Sequence, residues 1–98
     1  MLDDVAQAAD WYDREVFAGL GDRFIESFQT ALGGIQRTGE AHRTAYQGFR
    51  KILLRPFPYQ LFYRLHDEIW IVTLVIHAAR DPKTMREQLA QRGQSEQE

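Results

Sequence analysis

Val75 to Pro82 reads VIHAARDP, and it sets His77, Arg80 and Asp81 within five residues at the end of an apolar run. An imidazole, a guanidinium and a carboxylate this close together are the raw material of an acid–base site. The motif contains no serine or cysteine nucleophile to use His77, and a lone histidine at a strand end is more often structural than catalytic. Asp81 is suited to cap the first amides of a following helix and Pro82 to occupy its first turn. Two roles stay open for Arg80: pairing with a carboxylate on the N-terminal helices, or facing solvent for a partner. The motif therefore reads chiefly as the hinge between a sheet and a C-terminal helix, and secondarily as a recognition surface.

Other chemistry is thinly represented. His42, His66 and His77 are scattered without an H-x-H or H-x-x-x-H spacing, so no metal site is expected. There is no cysteine, which excludes a disulfide framework and thiolate ligation and fits a cytoplasmic protein. Gly19-Leu20-Gly21 lacks the preceding strand and following lysine of a phosphate loop, so no cofactor is expected. Trp11 and Tyr12 read as helix–sheet core, and Tyr59 and Tyr63 share one strand face and read the same way.

The elements that position these residues follow from hydrophobic period. Leu2, Val5, Ala9, Tyr12 and Val16 recur at three- and four-residue intervals and predict a helix over 3–17. Gly19 and Gly21 offer positive-φ positions for a turn, and Asp22 can cap or enter the first turn of a second helix. Phe24, Ile25, Phe28, Leu32 and Ile35 give that helix its stripe, ending near Thr38-Gly39, with Gly33-Gly34 as an internal weakness. Residues 40–48 have no clear period and read as a loop. The period then becomes two, and three strands are expected: Phe49–Arg55, then a strand from Tyr59, then Ile69–His77 after a tight connection at His66-Asp67-Glu68. The last is apolar on both faces, with Ile69, Ile71 and Val75 on one and Trp70, Val72, Leu74 and Ile76 on the other, so both need cover. A short helix over 83–91 closes the series. The fold class is α+β in two layers: an N-terminal helical hairpin on a three-stranded antiparallel sheet, with a short C-terminal helix. Residues 1–92 form one domain and 93–98 a flexible tail.

Composition bounds the rest. The 98 residues are 44% hydrophobic, enough for one modest core. The acidic N-terminus is no signal peptide, and the apolar run at 69–76 is too short to span a bilayer, which takes about 20 residues. Residues 1–48 carry four basic and eight acidic side chains, a net of −4, whereas residues 49–92 carry eight basic and four acidic, a net of +4. That asymmetry suits either a solvated mixed surface or a basic face for a polyanion or an acidic partner segment, with Arg50, Lys51, Arg55, Arg64, His77 and Arg80 as the candidates for such a face. A pI near 5.9 argues against a dedicated, sequence-specific nucleic-acid binder.

Two segments carry a resemblance. AADWYDREVFAGLGDRFIESF is similar to the opening of the ParE branch of the RelE/ParE toxin superfamily: an alanine-rich helix reaching WY and an acidic residue, a GLG turn, then a helix containing RF. FRKILLRPFPYQLFYRLHDEIWIVTLVIHAARDP resembles the same branch in its basic-apolar strand, FPY, YR-type strand and closing HxxRDP. The likeness covers about residues 5–82. It implies the toxin of a type II toxin–antitoxin, plasmid stabilisation-like module, neutralised by a cognate antitoxin and acting on DNA gyrase by binding. The runner-up it implies is a ribosome-dependent, metal-independent mRNA endoribonuclease using Lys51, Arg55 and Arg80. A third reading is an inactive relative serving as a binding or dimerisation module. Against the nuclease pattern, Gln60 stands at an arginine position, Met85 at about a tyrosine position and Ala79 near a basic one, which removes a cation and the proton acceptor. The family opens with a short strand, whereas Met1-Leu2-Asp3 already belong to the helix here. A bare sheet edge would follow, and with it self-association or a heterocomplex.

Overall fold

Apolar residues three and four apart give the first two helices their buried stripes. The computed structural model describes the backbone of residues 2–97 and the side chains of 3–93. Helix α1 spans Leu2–Glu15 and α2 spans Leu20–Thr38. From α1, Val5, Ala8, Ala9 and Tyr12 are buried; from α2, Phe24, Phe28, Ala31 and Ile35. Val16 lies past the end of α1 and is exposed, so the predicted stripe is one turn too long.

The turn between the helices depends on two glycines for different reasons. Gly19 has φ 98°, the left-handed region where a side chain is strained. Gly21, expected to share that role, is helical. It is glycine because α2 crosses α1 there: a Cβ would collide with the Ala9 carbonyl oxygen and stand 2.7 Å from an Asp13 carboxylate oxygen. Of the two places open to Asp22, the structure has the first turn of α2. Asp13 Oδ1, reaching over from α1, accepts the Gly19 and Gly21 amides at 3.0 and 2.7 Å. One carboxylate thus satisfies helix-start donors and suits the positive end of the α2 dipole.

After a single 3₁₀ turn at Gly39–Ala41 the chain builds a four-stranded antiparallel meander: β1 Thr44–Tyr46, β2 Phe49–Leu53, β3 Tyr59–His66 and β4 Ile69–His77, in the order β1-β2-β3-β4. Strand β1 lies in the stretch expected as a loop. It closes on β2 through Gln47 (φ 42°) and Gly48 (φ 84°), a two-residue hairpin turn. The other tight hairpin uses Asp67 (φ 50°) and Glu68 (φ 66°), both in the left-handed region without being glycine.

The sheet is covered on both faces rather than in two layers. Helices α1 and α2 bury one face against Leu54, Phe57, Leu61, Tyr63 and Val75. On the other, α3 (Pro82–Gln97) buries Leu89 among Phe49, Phe62, Leu74 and Ile76, with Met85 partly buried beside them. The doubly apolar β4 receives the double cover its sequence demands. Its faces are not the simple alternation expected. Phe62 pairs with Leu74 but Tyr63 pairs with Val72, so Thr73 is an extra residue in β4. This bulge resets the side-chain parity. Trp70 and Val72 therefore join Val75 on the hairpin side, while Leu74 and Ile76 turn to α3. Helix α3 continues past the predicted 83–91 to Gln97, through most of the segment expected as a tail; Glu98 lies outside the described residues.

Candidate functional site

Strand β4 is an edge of the sheet, and α1 and α3 stand on either side of that edge. Between them runs an open groove of about 780 Å³. Its floor is the outer edge of β4 at Val75–His77, and Ala8, Trp11, Arg80 and Gln88 are among the residues that line it. Trp11 is 48% exposed and so belongs to this groove rather than to the core, whereas its neighbour Tyr12 is buried as expected.

An ion pair crosses the groove. Asp4 of α1 meets Arg92 of α3 through both oxygens, at 2.6 Å to Nη1 and 3.1 Å to Nη2. Asp4 Oδ2 also accepts the Val75 amide at 3.1 Å, and Arg92 Nη1 donates to the Thr73 carbonyl at 3.1 Å. The clasp thus takes two outward-facing backbone groups of β4, as a neighbouring strand would.

His77 and Arg80 stand where the VIHAARDP motif leaves the sheet. The Ala79 amide donates to His77 Nδ1 at 3.0 Å, so in the neutral ring the proton lies on Nε2. Its lone pair is thereby occupied, and the ring packs edge-on to Tyr59 with centroids 5.1 Å apart. That arrangement leaves the neutral ring no free lone pair. Burial raises the Tyr59 pKa, with the Arg80 charge pulling the other way, so the phenol stays protonated near neutrality. Asp81 Oδ1 accepts the Lys83 amide at 3.0 Å and Pro82 opens α3, which gives the hinge its cap. Arg80 itself is exposed, its amide bonded to the His77 carbonyl at 3.0 Å.

The six residues proposed for a basic face do not share one. Arg50 donates through Nη1 to the Glu40 and His42 carbonyls and ties down the loop before β1. Arg64 lies over the Phe49 ring, 5.0 Å from its centroid, and donates to the Gly93 carbonyl at 2.8 Å, holding α3 to the sheet. Lys51 is exposed on the α3 side, paired across from Phe62, and Arg55 is exposed beyond β2. Arg80 lies instead against Tyr59, whose ring packs with Tyr12 and Phe24 on the hairpin side. Only His77 and Arg80 share the groove.

A second polar cluster escaped the sequence altogether. The Tyr63 hydroxyl, on a fully buried ring, donates to the Gly39 carbonyl at 2.6 Å and therefore accepts from His42 Nδ1 at 3.0 Å. Burial raises the Tyr63 pKa, opposed by the Arg50 charge. This cluster pins the end of α2 to the sheet. Among the described residues no three histidine, aspartate or glutamate side chains converge as a metal site would require, and no helix is long and apolar enough to cross a membrane. Comparison with protein-family models returns no match, and neither does comparison with curated proteins.

Proposed function

We propose that the chain is a ParE-like toxin of a type II toxin–antitoxin module, acting by binding to DNA gyrase and neutralised by a cognate antitoxin. The residue order behind the resemblance supports it, together with a helical hairpin that leads into an antiparallel meander and a closing helix. The observation that carries binding over catalysis is the state of the sheet face under α3. There Gln60 lies in the row Leu53–Gln60–Ile76, and Met85 packs against the cluster of Phe49, Phe62, Leu74, Ile76 and Leu89. A thioether in an apolar cluster and a neutral amide supply neither a proton acceptor nor a cation for a phosphorane. His77 has its free lone pair bonded to a backbone amide and supplies no substitute.

Induced expression in a bacterial host tests this. Growth arrest with DNA-damage signalling, relieved by co-expression of an antitoxin encoded beside the chain's own gene, is the expected outcome, and absence of such a gene would count against the reading. Loss of translation with cut transcripts, abolished by the Lys51→Ala, Arg55→Ala pair, would replace this reading with the endoribonuclease. Tight antitoxin binding with no phenotype would mark an inactive binding module.

A further inference from the structure

Met85 carries redox chemistry that the proposed function leaves unused. The chain has no cysteine, so the thioethers of Met1 and Met85 are its only sulfur atoms and the groups that a peroxide attacks first. Met85 is half-buried, packed by α3 against the cluster of Phe49, Phe62, Leu74, Ile76 and Leu89 while part of it still meets solvent.

The attachment of α3 is uneven along its length. Met85, Leu89 and Gly93 fall four residues apart, on the line of the helix that faces the sheet. The C-terminal part of that line is held several times over. Leu89 is fully buried, Arg64 donates to the Gly93 carbonyl at 2.8 Å, and Arg92 pairs with Asp4 and donates to the Thr73 carbonyl. The first two turns are held by less. Lys83, Arg86 and Glu87 are exposed, Thr84 and Gln88 are polar, and Met85 is the residue that joins the apolar cluster. Otherwise these turns have the Asp81 cap and their own helix bonds.

We infer that Met85 is an oxidation site, and that its conversion to the sulfoxide frees the first two turns of α3 from the sheet while Leu89 to Gly93 stay docked. In the step, a lone pair of the thioether sulfur attacks one oxygen of hydrogen peroxide. The S–O bond forms and the O–O bond breaks. The departing hydroxide takes the proton of the transferred oxygen and becomes water, so sulfur loses two electrons and the peroxide gains them. The new oxygen is a hydrogen-bond acceptor, and the side chains of Phe49, Phe62, Leu74, Ile76 and Leu89 offer it no donor. It therefore moves to water and takes its helix turns with it. Two thiols reverse the step, becoming a disulfide while the oxygen leaves as water. The site rests on α3 and the sheet alone and holds whether or not the toxin reading does.

The test treats the full chain with hydrogen peroxide, maps the product by peptide mass and follows amide hydrogen exchange. One oxygen is expected on Met85. Exchange of the amides at 85–88 accelerates about tenfold or more, and that of Arg92 and Gly93 stays within about twofold. The two methionine sulfoxide reductases, one for each epimer, return exchange to its starting value. Met85→Leu keeps the packing and lacks the sulfur, so peroxide leaves its α3 exchange unchanged. Met85→Gln, polar and uncharged, opens the same turns without peroxide. The inference is overturned if Met85 resists a peroxide dose that converts free methionine, if its sulfoxide leaves exchange at 85–88 unaltered, or if Met85→Leu opens equally on treatment. Arg92 and Gly93 exchanging as fast as Met85 after oxidation would also contradict it, because α3 would then have no separable first part.

Discussion

Replacing Asp4 with alanine removes the centre of the clasp between the first and last helices. Asp4 is 17% exposed at its side chain and Arg92 33%, so the pair is largely but not wholly shielded from water. The substitution deletes two charge-assisted contacts to Arg92 and one to the Val75 amide. Bonds to charged groups contribute about 1.5–3 kcal/mol each, but these share one carboxylate and lie beside an open groove where water can replace them. A net loss of roughly 2–3 kcal/mol follows, which in a domain of this size lowers the melting temperature by roughly 10–20 °C. Thermal and urea unfolding followed by circular dichroism measure it. Arg14→Ala is the internal control: it breaks an Arg–Asp pair of the same chemistry, but with side chains 61% and 64% exposed. It is expected to cost less than about 0.5 kcal/mol. A double-mutant cycle of Asp4→Asn and Arg92→Gln is expected to return a coupling of about 1 kcal/mol or more. If Asp4→Ala costs no more than Arg14→Ala, or the cycle is additive, the clasp does not hold the helices.

Other substitutions probe the frame. Gly34→Ala stabilises by about 0.5–1 kcal/mol, because a Cβ there meets nothing within 4 Å and the helix gains a better former; a lower urea midpoint would contradict this. Gly21→Ala destabilises by about 1–3 kcal/mol, because its Cβ must displace the Ala9 carbonyl or the Asp13 cap; an unchanged midpoint would mean the helices can separate freely. Glu68→Gly gains about 0.5 kcal/mol by relieving a left-handed residue in the β3–β4 turn, read from the urea midpoint at constant slope. Tyr12, Tyr59 and Tyr63 all have pKa values raised by burial, so the folded chain retains protons that the unfolded chain releases. Their contribution is whole below about pH 10 and is lost as pH rises through the raised values, so stability falls on the alkaline side. Phenolate absorbance and urea midpoints taken together across that range check the sign.

What the sequence made legible was periodic. The two helical stripes, the period-two strands and the need to cover β4 twice all follow from spacing, and the structure has them. What it hid was local geometry and long-range pairing. Strand β1 has three residues, too few to show a period, and only Gln47-Gly48 as a two-residue turn could have revealed it. The bulge at Thr73 leaves no mark in composition, yet it moves Trp70 and Val72 to the other face. Trp11 does sit off the α1 stripe, beside Tyr12 and not in step with Val5 and Ala9, and that offset was the available clue to its exposure. Asp4 and Arg92 stand 88 residues apart, and nothing in the spacing joins them. For the same reason Arg50 and Arg64 read as free surface cations, although each holds a backbone carbonyl.

The most direct test of the proposed function is a supercoiling reaction with purified DNA gyrase, titrated with the purified chain. Cleaved DNA is expected to accumulate with dose while supercoiling falls. Full supercoiling at saturating chain, with site-specific cuts in a translated message under matched conditions, would contradict it.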